Sequence, residues 1–193
     1  KSACPGAGAC GGQFTANTMA MVLTSLGLSP MGLNDITATD PAKRTAAYRC
    51  GELAVECLAA DRKPRDVLSR GSFINAARMV AATAGSTNAV LHLLAIAHDA
   101  DIDLGLEDFD AASRDTPVIA DLKPGGRFTA VELTEAGGTA LVARELREVG
   151  DRGIAAHCEL LRFVEVELEA GSSRGSGSQD AGRRSRQMDP GFR

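Results

Sequence analysis

The sequence predicts an α/β fold with an excess of helix, in which helices flank a small parallel sheet that is incomplete in this chain. Three observations carry this prediction. Apolar residues recur at helical spacing in several segments, a glycine-rich loop opens the first helix, and residues 117–122 are typical of a short buried strand followed by a turn. Because few strands can be recognised, the prediction also admits an almost wholly helical structure.

Composition bounds the class of protein. The chain has 193 residues, of which 44% are hydrophobic and none is Trp, so one domain with an aliphatic core is expected. The net charge of -4 argues against a nucleic-acid binder. We find no apolar run of membrane-spanning length. Five cysteines without a secretory signal favour a reducing, cytoplasmic setting. Because a motif follows Lys1 so closely, we expect the chain to begin within a domain.

The glycine-rich loop carries two thiols, Cys4 and Cys10, and runs into a helix predicted for residues 13–26. The first amides of a helix lack internal partners and carry positive partial charge, which favours a thiolate. The loop therefore indicates a metal or iron–sulfur ligand. The Cys-x5-Cys spacing fits neither a zinc finger nor a ferredoxin run, so other ligands must come from elsewhere.

Asp40 and Pro41 begin a second helix, which runs to about Ala60. Cys50 and Cys57 lie on its apolar stripe, and we predict that both are small buried hydrophobic residues. The less favoured alternative is that these two thiols within the helix are ligands of a metal cluster. A third helix is predicted for residues 72–83.

The segment 89–98 is apolar almost all round, which predicts a buried helix. His92 within it is interpreted as a core histidine, and His98 lies at its end. The three residues before the helix, Ser86, Thr87 and Asn88, can cap its first amides or present hydroxyls and amides to an anion. Both interpretations stay open on the residues alone.

After a short helix that ends near Arg114, the predicted strand 117–122 leads into a turn at 123–126. The acidic residues 101–108 could suggest Mg²⁺, but carboxylates at a helix start are usually solvated. Asp121 and Lys123 are candidates for a polar site or for a local salt bridge, with equal weight. A further helix follows Gly137 and runs to about residue 149.

Residues 158–193 form a divergent tail that is predicted to be disordered and foreign to the fold.

Several stretches resemble the dihydroxy-acid dehydratase family, which includes dihydroxy-acid, 6-phosphogluconate and sugar-acid dehydratases. They are residues 3–5, 9–12, 14–19, 85–93, 120–124 and 137–138. The dihydroxy-acid branch is the most similar. Gln13 departs from the methionine expected in the family, and Ala84 replaces a glycine. The resemblance covers residues 1–157, as an internal piece of the family's N-terminal domain.

This resemblance implies a lyase that removes water from a 2,3-dihydroxy acid to give a 2-oxo acid in branched-chain amino-acid biosynthesis. It implies that Cys10 ligates an iron–sulfur cluster, either [2Fe-2S] or [4Fe-4S], and that Ser86, Thr87 and Asn88 line the site. Mg²⁺ and a homodimer are implied for the complete enzyme. The family's Cys-Asp-Lys segment and its serine base are absent, so we expect this chain alone to be inactive.

Three alternatives stay open beside this interpretation. A sugar-acid dehydratase would share the family's chemistry. A non-catalytic helical interaction domain would use all of its thiols structurally and bind no iron. A phosphate- or nucleotide-binding module is disfavoured, because the chain has no Walker lysine and no dinucleotide fingerprint after a strand.

Overall fold

The computed structural model describes residues 10–151, with side chains described through residue 149. Within this range the chain forms eight helices. They are α1 (Thr15–Ser25), α2 (Ala42–Ala59), α3 (Pro64–Val67), α4 (Arg70–Ala82), α5 (Asn88–Asp99), α6 (Leu106–Asp115), α7 (Ala130–Ala136) and α8 (Gly138–Asp151). None of the eight is both long and apolar enough to cross a membrane. Cys4 and the predicted tail 158–193 lie outside the described residues.

The helix-rich part of the fold prediction is confirmed, but the predicted sheet has no counterpart within residues 10–151. The strand predicted for residues 117–122 is wrong. The amides of Ile119 and Ala120 both donate to the Ala82 carbonyl, at 2.8 and 2.9 Å. The end of α4 therefore satisfies the donors that a neighbouring strand would have paired. The only strand-like pairing in the described range is an isolated parallel bridge between Leu122 and Phe128.

Helix α4 lies at the centre of the structure and buries two of its faces. It begins at Ser69, whose hydroxyl accepts a hydrogen bond from the Ser72 amide at 3.2 Å. One face meets α1 and α5 in a fully buried cluster, in which alanines let the helices approach closely. The cluster consists of Val22, Leu26, Phe73, Ala76, Ala89, Leu93 and Ala97.

The other face of α4 packs against α1 and α8. The buried members of this second cluster are Met21, Met79, Ala82, Val142 and Ala143. Two methionines fill the irregular space between three helices, as an unbranched and flexible side chain can. Both clusters contain residues of α1, so each of them holds α1 against α4. Helix α1 follows the glycine-rich loop that contains Cys10, called here the cysteine loop.

Helix α2 lies where the sequence predicts it, but its predicted burial is wrong, because Ala46 is its only buried residue. Cys50 is exposed and Cys57 is half-buried, so the prediction that both are buried is wrong. Leu58 is 82% exposed. The apolar stripe is present, but no other helix among residues 10–151 packs extensively against it.

Helix α5 is buried on one face only, through Ala89, Leu93 and Ala97. Leu91 is 68% exposed and His92 is exposed as well. The predictions of a helix buried all round and of a core histidine are therefore wrong. The helix lies at the edge of the first cluster, and no other described helix covers its outer face.

Helices α3 and α7 were not predicted, although α7 carries a sequence signal. Thr129 and Glu132 form a capping box. The Thr129 amide donates to the Glu132 carboxylate at 2.7 Å, and this bond lowers the pKa of that carboxyl. Helix α3 has Pro64 at its first position, which also favours a helix start.

An ion pair joins the starts of α4 and α6. Both terminal guanidinium nitrogens of Arg70 donate to the Asp108 carboxylate, at 2.6 and 3.2 Å, and the Gly105 amide donates to the same group at 2.9 Å. The Gly105 amide, and then Arg70, lower the pKa of Asp108. Asp108 therefore stabilises the fold only while it is ionised.

We predict that Phe73→Ala destabilises the protein by about 3–5 kcal/mol, because it opens a cavity where α1, α4 and α5 meet. Urea denaturation followed by circular dichroism measures the change. Leu91→Ala, at a mostly exposed position of α5, serves as the control and should change stability little. Equal losses in the two variants would contradict the central role of α4.

We predict that Asp108→Asn costs about 1 kcal/mol at pH 7, a value kept small by solvent screening, and that this cost vanishes in acid. A carboxyl whose pKa is lowered by folding stabilises above its ordinary value of about 3.9 and loses that contribution as pH falls through the folded pKa. Urea midpoints of both proteins between pH 7 and pH 2 measure the difference, because the loss falls below the ordinary pKa of a carboxyl group. Asp110→Asn, which removes only an exposed pair with Arg114, should have a small effect. A cost independent of pH would refute the assignment.

Candidate functional site

The cysteine loop is held by close backbone contact with the turn that contains Lys123. The Gln13 amide donates to the Lys123 carbonyl at 2.6 Å. Gly12 is buried against the same residue, and a Cβ on Gly12 would lie 2.8 Å from the Lys123 Cβ. Only glycine permits this approach without a shift of one segment, so Gly12 fixes where the loop after Cys10 lies.

Side chains of α1 also hold the loop, through hydrogen bonds to its carbonyl groups. The Asn17 amide donates to the Gly12 carbonyl at 2.8 Å, and the Thr18 hydroxyl donates to the Gln13 carbonyl at 3.1 Å. The Gln13 side chain is buried and donates to the Met21 sulfur. The carbonyls of residues 12 and 13 are thus satisfied by the helix that they introduce, which makes the loop and the start of α1 one unit.

Ser86 and Asn88 join this unit from the start of α5. The Ser86 amide donates to the Thr18 hydroxyl at 3.0 Å, and the Ser86 and Thr15 hydroxyls are hydrogen bonded at 3.0 Å. The Asn88 side-chain amide donates to the Thr15 hydroxyl at 2.9 Å. The N-termini of α1 and α5 therefore lie side by side. Both amino ends carry positive partial charge, which favours an anion between or beside them.

The capping interpretation of the same residues also finds support. The Ser86 hydroxyl accepts from the Asn88 backbone amide at 3.3 Å. Thr87 and Asn88 are exposed, whereas Ser86 is half-buried. Ser86 thus orders the turn, while the other two side chains remain accessible to a ligand.

Cys10 lies half-buried at a cavity of about 220 Å³. The polar side chains around it come from the cysteine loop, from α1, from the loop before α2, and from α2 and α7. They are Gln13, Asn17, Asn34, Asp35, Thr37, Lys43 and Thr134. Ser86, Thr87 and Asn88 are not part of this wall. The structure therefore brings Cys10 and the α5 start to the same end of α1 but not into one cavity.

No sequence pattern indicated that residues 34–38 would form part of the cavity wall. The Asp35 carboxylate accepts from the Thr139 amide at 2.9 Å and from the Thr139 hydroxyl at 2.6 Å, so it caps α8. The Lys43 ammonium donates to the Ile36 carbonyl at 2.8 Å. Both charged groups are occupied in holding this loop, and the contact between Asp35 and Thr139 joins residues that are 104 positions apart.

The turn after residue 120 contains a local ion pair, but its cation is Arg127. The Arg127 guanidinium donates to the Asp121 carboxylate at 2.6 Å, and it also lies 5.1 Å from the centre of the Phe128 ring. Lys123 acts through its backbone, since its amide donates to the Phe128 carbonyl at 2.8 Å and its carbonyl accepts from Gln13. Its side chain is exposed.

The described residues supply a single candidate metal ligand rather than a complete set. Within residues 10–151, no group of three or more His, Cys, Asp or Glu side chains is arranged to hold a metal ion. Cys50 and Cys57 lie on α2 and do not line the cavity beside Cys10. The acidic residues among positions 101–108 are likewise not gathered into such a group. One of them, Asp108, is paired with Arg70.

Most of the chain matches known proteins. Residues 1–158 match the family model described as Dihydroxy-acid/6-phosphogluconate dehydratase N-terminal. A dihydroxy-acid dehydratase from Thermus thermophilus is 59% identical over 150 residues, which cover 78% of this chain and 27% of that protein. Proteins of the same name from Roseiflexus sp. strain RS-1 and Natronomonas pharaonis are 54% and 55% identical, over 77% of this chain and 27% and 25% of their own lengths. The chain thus spans about a quarter of the length of these relatives.

We predict that Gly12→Ala separates the cysteine loop from the Lys123 turn and destabilises the protein by about 1–3 kcal/mol. The added methyl group would collide with backbone, which cannot rotate away. Gly125→Ala is the matched control, because a Cβ there has nothing within 4 Å. Urea denaturation and the alkylation rate of Cys10, followed by peptide mass spectrometry, measure the two variants. Similar behaviour of both variants would show that the contact does not hold the loop.

Proposed function

Because the chain belongs to the dihydroxy-acid/6-phosphogluconate dehydratase family, we propose that it is part of a dihydroxy-acid dehydratase. Such an enzyme is a hydro-lyase that removes water from a 2,3-dihydroxy carboxylic acid and yields a 2-oxo acid. The observation that carries the proposal is the cysteine of the glycine loop, half-buried at a cavity, in a chain whose relatives are named for this reaction. A sugar-acid dehydratase of the same family is the alternative.

Cys10 is proposed as one ligand of an iron–sulfur cluster. Its thiol lies beside the cavity and directly before the buried Gly11 and Gly12. This donor fits one coordination position, and the remaining ligands would come from outside residues 10–151. The cluster, when bound, would act as a Lewis acid toward a substrate hydroxyl. One thiol is compatible with either cluster type, [2Fe-2S] or [4Fe-4S].

The chain's own residues would position the ligand and the substrate. Hydrogen bonds from Asn17 and Thr18 fix the backbone after Cys10, which limits the directions in which the thiol can point. Thr87 and Asn88 are proposed to meet the substrate carboxylate at the positive end of α5. Ser86 would hold them there, since its hydroxyl is already bonded to Thr15.

The complete protein is proposed to use Mg²⁺, to form a homodimer and to act in the cytoplasm in branched-chain amino-acid biosynthesis. These proposals rest on the family alone. The chain supplies no Mg²⁺ ligand set among its described residues, and we expect it to be inactive without the rest of such an enzyme.

A chimera tests the proposed function. The 150-residue stretch that the Thermus thermophilus relative shares with this chain is replaced by the matching residues of this chain. We expect turnover of 2,3-dihydroxy-3-methylbutanoate by the anaerobically reconstituted chimera. Cys10→Ser in the chimera should lower turnover about 100-fold or more and lower the iron content, because a ligand is lost.

The matched control for that chimera is Cys50→Ser, which changes an exposed thiol on α2 and should leave turnover and iron content unchanged. Turnover of a sugar acid in place of the branched substrate would favour the alternative. A folded chimera that binds no cluster and converts neither substrate would refute the proposal.

A further inference from the structure

One wall of the cavity beside Cys10 is formed by residues 34–37, which lie between α1 and α2. Because these residues belong to neither helix, their position depends on bonds to the helices around them. The Lys43 ammonium of α2 donates to the Ile36 carbonyl at 2.8 Å. The Asn34 side-chain amide donates to a backbone carbonyl of α1 at 3.1 Å. These two bonds tie the wall segment, as residues 34–37 are called here, to α1 and α2.

Asp35 ties the wall segment to two further helices, α7 and α8. Its carboxylate accepts hydrogen bonds from the Thr139 amide and hydroxyl, at 2.9 and 2.6 Å. Its backbone carbonyl accepts from the Thr134 hydroxyl at 3.3 Å. Thr139 is 1% exposed, so water competes poorly for the bonds to the carboxylate. The carboxylate also lies at the positive end of a 14-residue helix, which stabilises its charge.

The start of α8 is shaped to receive this carboxylate. Gly138 has a φ of +63°, which favours glycine, and a Cβ on it would lie 2.8 Å from the Asp35 Cγ. One turn further along α8, Val142 and Ala143 are buried in the second cluster, against α4. The packing of α8 on α4 is thus linked to the cavity wall through the side chain of Asp35.

We propose that Asp35 is a positioning residue for the site of Cys10. It holds the wall segment against the start of α8 and so sets the width of the cavity at the thiol. Both of its carboxylate oxygens are already bonded to Thr139, so Asp35 acts through the position of the wall and not by binding a ligand itself. This inference deepens the proposed function, on which it rests for the role of Cys10 as a cluster ligand.

Alkylation of Cys10 in the 193-residue chain tests the proposal with two reagents of different size. Iodoacetamide reports the exposure of the thiol, and the bulky fluorescein maleimide reports the width of the cavity. Peptide fragmentation in the mass spectrometer distinguishes Cys10 from Cys4. Asp35→Ala should raise the rate with the maleimide, relative to the rate with iodoacetamide, about tenfold, which is the scale of one or two lost hydrogen bonds.

Conservative variants separate positioning from a simple loss of stability. In Asp35→Asn the carboxamide oxygen can accept from the Thr139 amide, and the carboxamide nitrogen can donate to the Thr139 hydroxyl, since a hydroxyl both donates and accepts. This variant should therefore keep the rate ratio of the unaltered chain. Thr139→Val removes only the hydroxyl and should raise the ratio less than Asp35→Ala does. Added to Asp35→Ala, it should change nothing further, because the two residues act as one unit.

Ser69→Ala is the matched control, because it also removes a cap from the start of a helix, here α4. Ser69 does not line the cavity, so this variant should lower the urea midpoint by a similar amount and leave the rate ratio unchanged. An unchanged ratio in Asp35→Ala, or an equal rise in Ser69→Ala, would overturn the proposal. The measurement uses neither a cluster nor a substrate, so its failure would be distinct from a failure of the dehydratase function, which the chimera measures.

Discussion

The burial of α4 on two faces is the constraint on which the rest of the structure depends. Phe73 and three alanines of this helix are buried, and the small side chains let α1 and α5 approach closely on one face while α1 and α8 pack on the other. A helix that is packed from both sides cannot shift without opening both clusters. Its two ends are therefore fixed points from which the connecting segments start.

Both anchors of the cysteine loop can be traced to the C-terminal end of α4. The Ala82 carbonyl accepts from Ile119 and Ala120, and this segment leads to Lys123, whose carbonyl accepts from Gln13. Along the chain, α4 is followed closely by Ser86, whose amide donates to Thr18. The Lys123 turn and the Ser86 segment therefore contact the start of α1 at two separate points. The position of Cys10 is thus set by packing several residues away from it, through backbone hydrogen bonds that leave little freedom.

The sequence predicted the features that depend on neighbours along the chain. Helical periodicity located α1, α2, α4, α5 and α8 to within about two residues, and the glycine loop was recognised because loop and helix are adjacent. Features that depend on distant partners were missed or misjudged. The donors of Ile119 and Ala120 are paired with α4 rather than with a strand, and the carboxylate of Asp35 finds its partner 104 residues away. No local pattern distinguishes these outcomes.

The errors on α2 and the partial success at the site have a common physical cause. An amphipathic stripe shows which face of a helix could be buried, but whether it is buried depends on an element that the helix does not encode. A cysteine in a glycine-rich loop likewise shows that one metal ligand is available there, whereas a cluster needs ligands from several segments. Cys10 and the exposed apolar side chains of α2 are therefore alike, since each has regular local structure but lacks a partner among residues 10–151. The missing partners have to be sought by experiments on assembly and cluster binding, because the local pattern around each residue is already satisfied.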